Sequence, residues 1–298
     1  MILILRLCRL SKICRPVRRH ARGGDELKYF WIFVFSFGYA SITPVASHAG
    51  AWTRAADETY LRAAGSFFQT TRRFGNAQPD FEGFEEWNSS LYGEYGLNAD
   101  ITVFGAGVFK DIEQSSGGVL TRNSGIGDVD IGAKYRLIEE PVFIAVQGIV
   151  KLPFLYSEQA ALPLGNGQID LEGKLLLGKS LGKGRYFGLE AGYRYRADAP
   201  VDEFRYLFEY GQDLNASVYA RTKLDGTLGL GSNGDSAPTP ENNFNASLPL
   251  AFDLGRLEST LGYKFRKGWA AEISVNTNLY GDNTLQGSNY QFAIVAQF

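Results

Sequence analysis

The stretch that decides the fold is residues 290–298, Tyr290-Gln291-Phe292-Ala293-Ile294-Val295-Ala296-Gln297-Phe298. Successive side chains of a β-strand point to opposite faces, so the even-numbered residues, all apolar, share one face. The odd-numbered residues, two glutamines with Ala293 and Val295, share the other face. An exposed edge strand of this kind would promote aggregation in water. We therefore predict that it faces lipid and is paired on both sides within a closed sheet.

The same alternation recurs along the chain. In Gly127–Leu137 the odd-numbered residues are Val, Ile, Ala, Tyr and Leu from residue 129 onwards, whereas the even-numbered ones are Asp, Asp, Gly, Lys and Arg. Charges repeated this regularly on one face are too costly for the dry core of a sandwich, and they suit the wet interior of a transmembrane barrel. The pattern predicts an all-β fold, a closed antiparallel transmembrane β-barrel.

The charged face of these strands predicts the residues that line the interior, or lumen, of the barrel. The candidates are Asp128, Asp130, Lys134, Arg136, Asp170, Glu172, Lys174, Glu190, Arg194, Arg196, Arg205, Glu209, Arg221, Lys223, Glu258 and Lys264.

The number of strands follows from a parity argument. Thirteen segments alternate, but bacterial barrels of this type have an even number of strands. The apolar face switches parity at Gly255, between the segment Phe244–Leu254 and the segment that begins at Leu257. One extra residue in a bulged strand would produce that switch. We therefore merge the two segments and predict twelve strands, with fourteen as the alternative.

Connections of alternating length are also expected, because outer-membrane barrels have short periplasmic turns and longer outer loops. Short turns are predicted at Asn98–Asp100, Ile138–Pro141, Leu181–Gly184 and Gln212–Asn215. Longer loops are predicted at about Gly75–Gly83, Glu113–Gly125, Pro153–Gly167 and Gly226–Asn243.

Residues 1–49 are predicted to be a signal peptide that is cleaved before Gly50, which makes residues 50–298 the barrel domain. Eight basic residues precede the apolar run Tyr29–Ala46, and Ser47-His48-Ala49 offers small residues at the cleavage site. An uncleaved anchor is the alternative, since eighteen residues could just span a bilayer. A lipoprotein is disfavoured because neither cysteine follows the apolar run.

Removal of this leader changes the composition of the chain. Of 30 basic and 32 acidic residues, 22 and 30 remain, a net charge of −8 that does not favour binding to nucleic acid. Every Cys, His and Met of the chain lies in residues 1–49. The remainder therefore has no thiolate for a metal site and no histidine for general-base catalysis.

Two motif matches are rejected on context. Gly173–Ser180 has the spacing of a phosphate-binding loop, but Leu175 and Leu177 continue the strand alternation and no helix is predicted to follow. Paired carboxylates such as Asp128 with Asp130 lie beside basic residues of the same face, which favours a neutralised network over acid–base catalysis. We predict no enzyme activity, no cofactor and no metal.

Two segments carry a resemblance to known families. The last strand resembles the closing strand of Gram-negative outer-membrane barrels, and Tyr290, Phe292, Ile294 and Phe298 match the signal that their assembly machinery reads. Gly125–Leu137 resembles a strand of the channel proteins associated with meta-pathway phenol degradation. The start Gly50-Ala51-Trp52-Thr53 is similar to XagA-like barrels linked with surface polysaccharide and adhesion. The resemblance implies an outer-membrane barrel and suggests a pore.

Two functions follow as hypotheses. The first is a narrow passive channel for small solutes, with aromatic or anionic solutes as candidates. A lumen lined with charges of both signs can select solutes by their size and through its electric field. The second is a barrel with a plugged lumen whose outer loops serve adhesion or attachment of extracellular polysaccharide, because side chains can fill a small barrel. The expected partners are outer-membrane lipid and lipopolysaccharide, periplasmic chaperones, the barrel-assembly machinery, and either the solute or the polysaccharide.

Overall fold

A computed structural model describes residues 50–75, 81–197, 201–231, 245–248 and 251–298. The predicted leader, residues 1–49, lies outside the described residues, as do residues 232–243 of the longest predicted loop. No helix in the described ranges is long and apolar enough to cross a membrane.

Twelve antiparallel strands close into one barrel. They are β1 (Thr59–Thr70), β3 (Phe81–Gly96), β4 (Ile101–Ser116), β5 (Val119–Ile138), β6 (Phe143–Leu152), β7 (Asp170–Gly182), β8 (Arg185–Arg196), β9 (Glu203–Asp213), β10 (Val218–Gly229), β11 (Asp253–Arg266), β12 (Trp269–Asp282) and β14 (Ser288–Gln297). Two short strands, β2 (Arg72–Phe74) and β13 (Thr284–Gln286), form a separate two-stranded sheet.

The first and last strands close the barrel. β1 pairs with β3 on one side and with β14 on the other, where Tyr60 lies opposite Gln297 and Phe68 opposite Asn289. Backbone hydrogen bonds between Thr59 and Phe298, of 2.7 and 3.0 Å, extend this pairing to the carboxyl terminus. The prediction of a closed twelve-stranded barrel is confirmed, and the alternative of fourteen barrel strands is wrong.

The bulge predicted at Gly255 has a different origin. The pairing of β11 with β12 shifts between Gly255 and Arg256, but the extra residue is Leu279 of β12. Against β10, β11 pairs through this point without a break. The predicted segment Phe244–Leu254 was wrong as part of a long strand, because β11 begins only at Asp253. The apolar parity switches there because the chain before β11 packs against the interior.

The outward face of the barrel is an apolar belt. Leu175, Tyr263 and Phe292 are about half exposed on this face, at 54%, 55% and 53%. Every backbone group of a closed barrel is paired between strands, so this structure can lie in hydrocarbon without unsatisfied polar groups. The belt therefore explains why strands rich in Leu, Ile, Tyr and Phe remain exposed in an isolated chain.

The two ends of the barrel differ. Turns at one end are tight, such as Lys183-Gly184, where positive φ angles of 53° and 68° make the reversal. Both chain ends of the barrel, Thr59 and Phe298, also lie at this turn end. The opposite, loop end carries the connection of residues 153–169. The predicted loop Glu113–Gly125 was wrong, because β4 and β5 continue to a tight turn at Gly117-Gly118.

Candidate functional site: the barrel lumen

The strand alternation directs charged side chains into the lumen. All sixteen charged candidates named from the sequence belong to the inward face of their strands, with β7 supplying Asp170, Glu172 and Lys174. Their neighbours on the outward face are the apolar residues of the belt. The backbone pairing of adjacent strands then fixes the position of each charged side chain along the barrel axis. The charged side chains form three networks.

The first network surrounds two buried carboxylates of β7. Glu172 contacts three cations: Arg194 Nη2 at 2.6 Å, Arg205 Nη1 at 3.2 Å and Lys174 Nζ at 3.3 Å. These side chains come from three adjacent strands, β7, β8 and β9, and the ladder places Glu172 directly opposite Arg194. One carboxylate thus shares its charge with three cations.

Asp170, the second carboxylate of this network, is also surrounded by cations. Lys151 Nζ lies 2.9 Å from it, Arg196 Nε 3.6 Å and Arg194 Nη1 3.8 Å. Arg196 also pairs with Glu203 at 2.7 Å. Lys151 and Arg196 are buried together with Asp170, so this carboxylate is neutralised inside the wall, and Arg194 is its most exposed partner, at 14%.

The second network centres on Glu272 of β12. Arg62 Nε lies 3.0 Å from its carboxylate and Arg221 Nη1 lies 3.4 Å away, while the Tyr219 hydroxyl donates a 2.8 Å hydrogen bond. Arg221 also contacts Glu258 at 3.5 Å. These contacts each span one intervening strand, since β14 lies between β1 and β12, and β11 lies between β12 and β10.

Two further inward candidates belong to the same region. Lys223 lies 3.6 Å from Glu258 and 3.7 Å from Glu209, and the Tyr186 hydroxyl donates a 2.6 Å hydrogen bond to Glu209. The region is therefore filled by alternating charges rather than by a block of one sign.

The third network lies at the turn end. Glu94 of β3 contacts Arg54 Nε at 2.5 Å and Lys134 Nζ at 3.3 Å. Arg136 pairs with Asp100 at 2.6 Å and Lys264 with Asp213 at 2.7 Å, both beside turns. Charged pairs thus continue to the mouth of the barrel.

A segment before β1 enters this end of the lumen. Trp52 packs edge-on against Tyr186 and at a tilt against Phe143, with ring centroids 5.7 and 5.8 Å apart. It also covers Gly178, where an added Cβ would lie 2.6 Å from the indole ring. Lys134 Nζ donates a 3.2 Å hydrogen bond to the Trp52 carbonyl. We call residues 50–54 the amino-terminal strap.

The loop end is filled by an apolar cluster. Leu162 and Leu164 of the 153–169 loop pack with Ala246 and Leu285 against inward side chains of the wall, Phe84 and Ile112. All six are 5% exposed or less. The Asn123 side chain holds this loop through a 2.8 Å hydrogen bond to the Leu162 carbonyl. The cluster therefore narrows the lumen at this end.

Tyr156 anchors the same loop to the wall. Its hydroxyl donates a 2.5 Å hydrogen bond to Asp128 Oδ1 and accepts a 2.9 Å bond from the Gly167 amide. Burial and this hydrogen bond to a carboxylate raise the pKa of the Tyr156 phenol above its usual value. The phenol stays protonated, so the hydrogen bond persists at neutral pH.

A cavity of about 290 Å³ lies in the lumen beside these groups. Charged residues from six strands line it, together with apolar residues of the chain that leads into β11. The lining includes Asp128, Lys151, Arg194, Arg196, Glu203, Arg205, Asp225, Leu248, Phe252, Leu254 and Arg256.

Several lumen residues were missed from the sequence. Glu94, Glu203, Glu272, Lys151 and Arg62 all make ion pairs inside the barrel. Glu94, Glu272, Lys151 and Arg62 belong to strands whose other inward residues are mostly uncharged, so the charge alternation is weak there. Glu203 is the first residue of β9, at the inward position before Arg205. The alternation of inward and outward positions, followed along each strand, places these five residues on the inward face.

Among the described residues, no group of three or more acidic, histidine or cysteine side chains could hold a metal ion. The lumen carboxylates are instead neutralised by Lys and Arg.

Comparisons with solved structures show the fold. The chain matches the COG4313 outer membrane channel from Pseudomonas putida F1 at 15% identity, with 85% of this chain and 99% of that one covered and a TM-score of 0.66. It also matches the KdgM porin in complex with disordered oligogalacturonate, at 7% identity over 80% and 99% and a TM-score of 0.51. The NanC porin matches at 10% identity over 79% and 98%, with a TM-score of 0.50.

No family model matches the chain, and no curated protein does. The likeness to the solved channels therefore confirms, at the level of the fold, the prediction of a Gram-negative outer-membrane barrel.

Proposed function

We propose that this protein is a narrow passive channel of the outer membrane for small polar or charged solutes, without enzyme activity. The observation that carries the proposal is a lumen lined by charges of both signs from the turn end to the loop end, with a cavity in its path. A lumen of this kind selects by size and field. The structural neighbours support it, because they include an outer membrane channel and two porins.

The predicted lumen residues have distinct roles in this proposal. Arg194, Arg205 and Lys223 are partly accessible and would meet a passing solute. Asp170 and Glu172 are buried behind them and would hold their positions. In the narrow region, a solute would therefore pass along charged side chains that are held in place, and not through a wide open pore.

Swelling of proteoliposomes tests this function. Glycine and arabinose should enter liposomes that hold the protein faster than protein-free liposomes, and sucrose should enter more slowly than either. Swelling at the protein-free rate for all three solutes would overturn the proposal.

A specific observation favours the second candidate function. The apolar cluster and the amino-terminal strap fill both ends of the lumen, which suits a plugged barrel whose outer loops serve adhesion or polysaccharide attachment. Deletion of residues 232–243 separates the two candidates. Loss of adhesion to a polysaccharide surface with unchanged solute uptake would favour the plugged barrel, and the reverse would favour the channel.

Delivery to the membrane completes the proposal. Cleavage before Gly50 would leave the new α-amino group beside the Glu190 carboxylate, because Gly50 lies against the end of that side chain. The mass of the purified protein tests this cleavage.

The last strand has the features expected of a signal for barrel assembly. Its apolar residues point to lipid or end the chain, and they are Tyr290, Phe292, Ile294 and Phe298. Phe298→Ser should lower the assembled fraction in cells, measured by heat-modifiable migration.

A further inference from the structure

The lumen cavity is lined by more cations than acids. Five cations line it, Lys151 and four arginines, against three acids. Each acid already has a partner: Asp128 accepts from Tyr156 at 2.5 Å, Glu203 pairs with Arg196 at 2.7 Å, and Asp225 pairs with Arg256 at 2.6 Å. The acids in the lining are therefore engaged. Arg194 and Arg205 both pair with Glu172, which is buried behind the lining, so one anion serves two cations of the cavity.

Arg205 is the cation with donors to spare. Only its Nη1 contacts a carboxylate, Glu172 at 3.2 Å, and that carboxylate is shared with Arg194 and Lys174. The Arg205 side chain is 28% exposed, whereas that of Glu172 is 1% exposed. The remaining guanidinium donors thus face the cavity while the acid stays behind them. Guanidinium groups bind carboxylates through paired, charge-assisted hydrogen bonds.

The same cavity has an apolar part. Leu248 and Phe252, which precede β11, line it together with Leu254 at the start of β11. Its volume of about 290 Å³ lies at the lower edge of the range for small-molecule pockets. A ligand that uses both parts must be small, carry one negative group and have an apolar body.

We propose that this cavity is a binding site for small organic carboxylates with an apolar body, in which Arg205 holds the carboxylate and Phe252 contacts the body. The proposal rests on the channel function, since it names the solute class that the lumen selects. Phosphates and sugar acids lack the apolar body and would leave the Leu248, Phe252 and Leu254 surface in contact with water.

Calorimetric titration of the full-length mature barrel in detergent tests the site. Benzoate should bind. Benzamide, which lacks the charge, and acetate, which lacks the ring, should each bind at least about tenfold more weakly than benzoate. Arg205→Gln should weaken benzoate binding by about tenfold or more. The control is Arg122→Gln, which removes an exposed cation that pairs with Glu113 on the β4–β5 hairpin outside the cavity lining, and it should leave the affinity unchanged.

Phe252→Ser provides a second variant that keeps every ion pair. It should weaken the binding of benzoate and leave that of acetate unchanged. Absence of benzoate binding, or equal binding by wild type and Arg205→Gln when both migrate as folded barrels, would overturn the proposed site. Ion conductance by the same wild-type preparation would show that the channel function survives such a result.

Discussion

Glu272 shows how one buried carboxylate connects distant parts of the wall. It accepts from Arg62 of β1 and Tyr219 of β10 and lies beside Arg221, although its side chain is fully buried. Removing one partner of a buried pair leaves the other charges uncompensated, which costs far more than the pair contributes. Residues of this kind stabilise the barrel from inside the lumen.

Glu272→Gln should therefore destabilise the barrel strongly. The change removes the anion that the partly buried Arg62 shares with the buried Arg221, and we expect a loss of about 3–5 kcal/mol in the free energy of unfolding. Urea unfolding in detergent, followed by tryptophan fluorescence, measures it.

Glu113→Gln is the matched control. Glu113 pairs with Arg122 at 3.0 Å on the exposed β4–β5 hairpin, where the arginine side chain is 65% exposed. An exposed pair contributes about 1 kcal/mol or less. Equal losses for the two variants would show that the lumen network is solvated and does not stabilise the fold.

At the scale of elements, the amino-terminal strap acts as a partial closure of the turn end. Trp52 is its bulky part, held between Phe143, Tyr186 and Gly178. Trp52→Ala should raise the single-channel conductance, because it removes the largest side chain from that end of the lumen. Trp269→Ala, on the exposed outward face, is the control and should leave the conductance unchanged. A conductance unaltered by Trp52→Ala would mean that the narrowest point lies elsewhere.

The 153–169 loop forms the closure of the other end. Tyr156→Phe removes the hydrogen bond to Asp128 and keeps the ring, so the loop should leave the lumen more often. Chymotrypsin should then cleave the variant faster at Phe154 and Leu155, which are exposed. Tyr195→Phe, on the outward face, should be cleaved at the wild-type rate. Equal rates for all three proteins would show that Leu162 and Leu164 hold the loop without Tyr156.

The barrel strands could be predicted from the sequence, whereas the inward folding of the 153–169 loop and of the amino-terminal strap could not. Strands such as β5 and β7 follow from residue-by-residue alternation, a local signal, and the closing strand 290–298 follows in the same way. Leu162 and Leu164 carry no such period, so nothing local shows that their loop folds inward. The strap was missed for the same reason.

At the scale of the whole molecule, closure brings together residues that are far apart in the chain. The Arg62–Glu272 contact spans 210 residues, and it exists only because β1 and β12 both pair with β14. Alternation shows that both side chains point inward, but partner choice depends on strand number and register. The error at Gly255 also arises because alternation does not show how a segment is paired. In the sequence, an apolar segment that packs inward resembles a continued strand.

The lumen that results is charged along its length and narrowed at both ends by the strap and the apolar cluster. A passive channel requires that ions still pass between these closures. Single-channel recording of the purified barrel in a planar lipid bilayer measures this directly. We predict discrete conductance steps across a range of voltages. A membrane that holds the folded protein and shows no ion-permeable state at any voltage would contradict it.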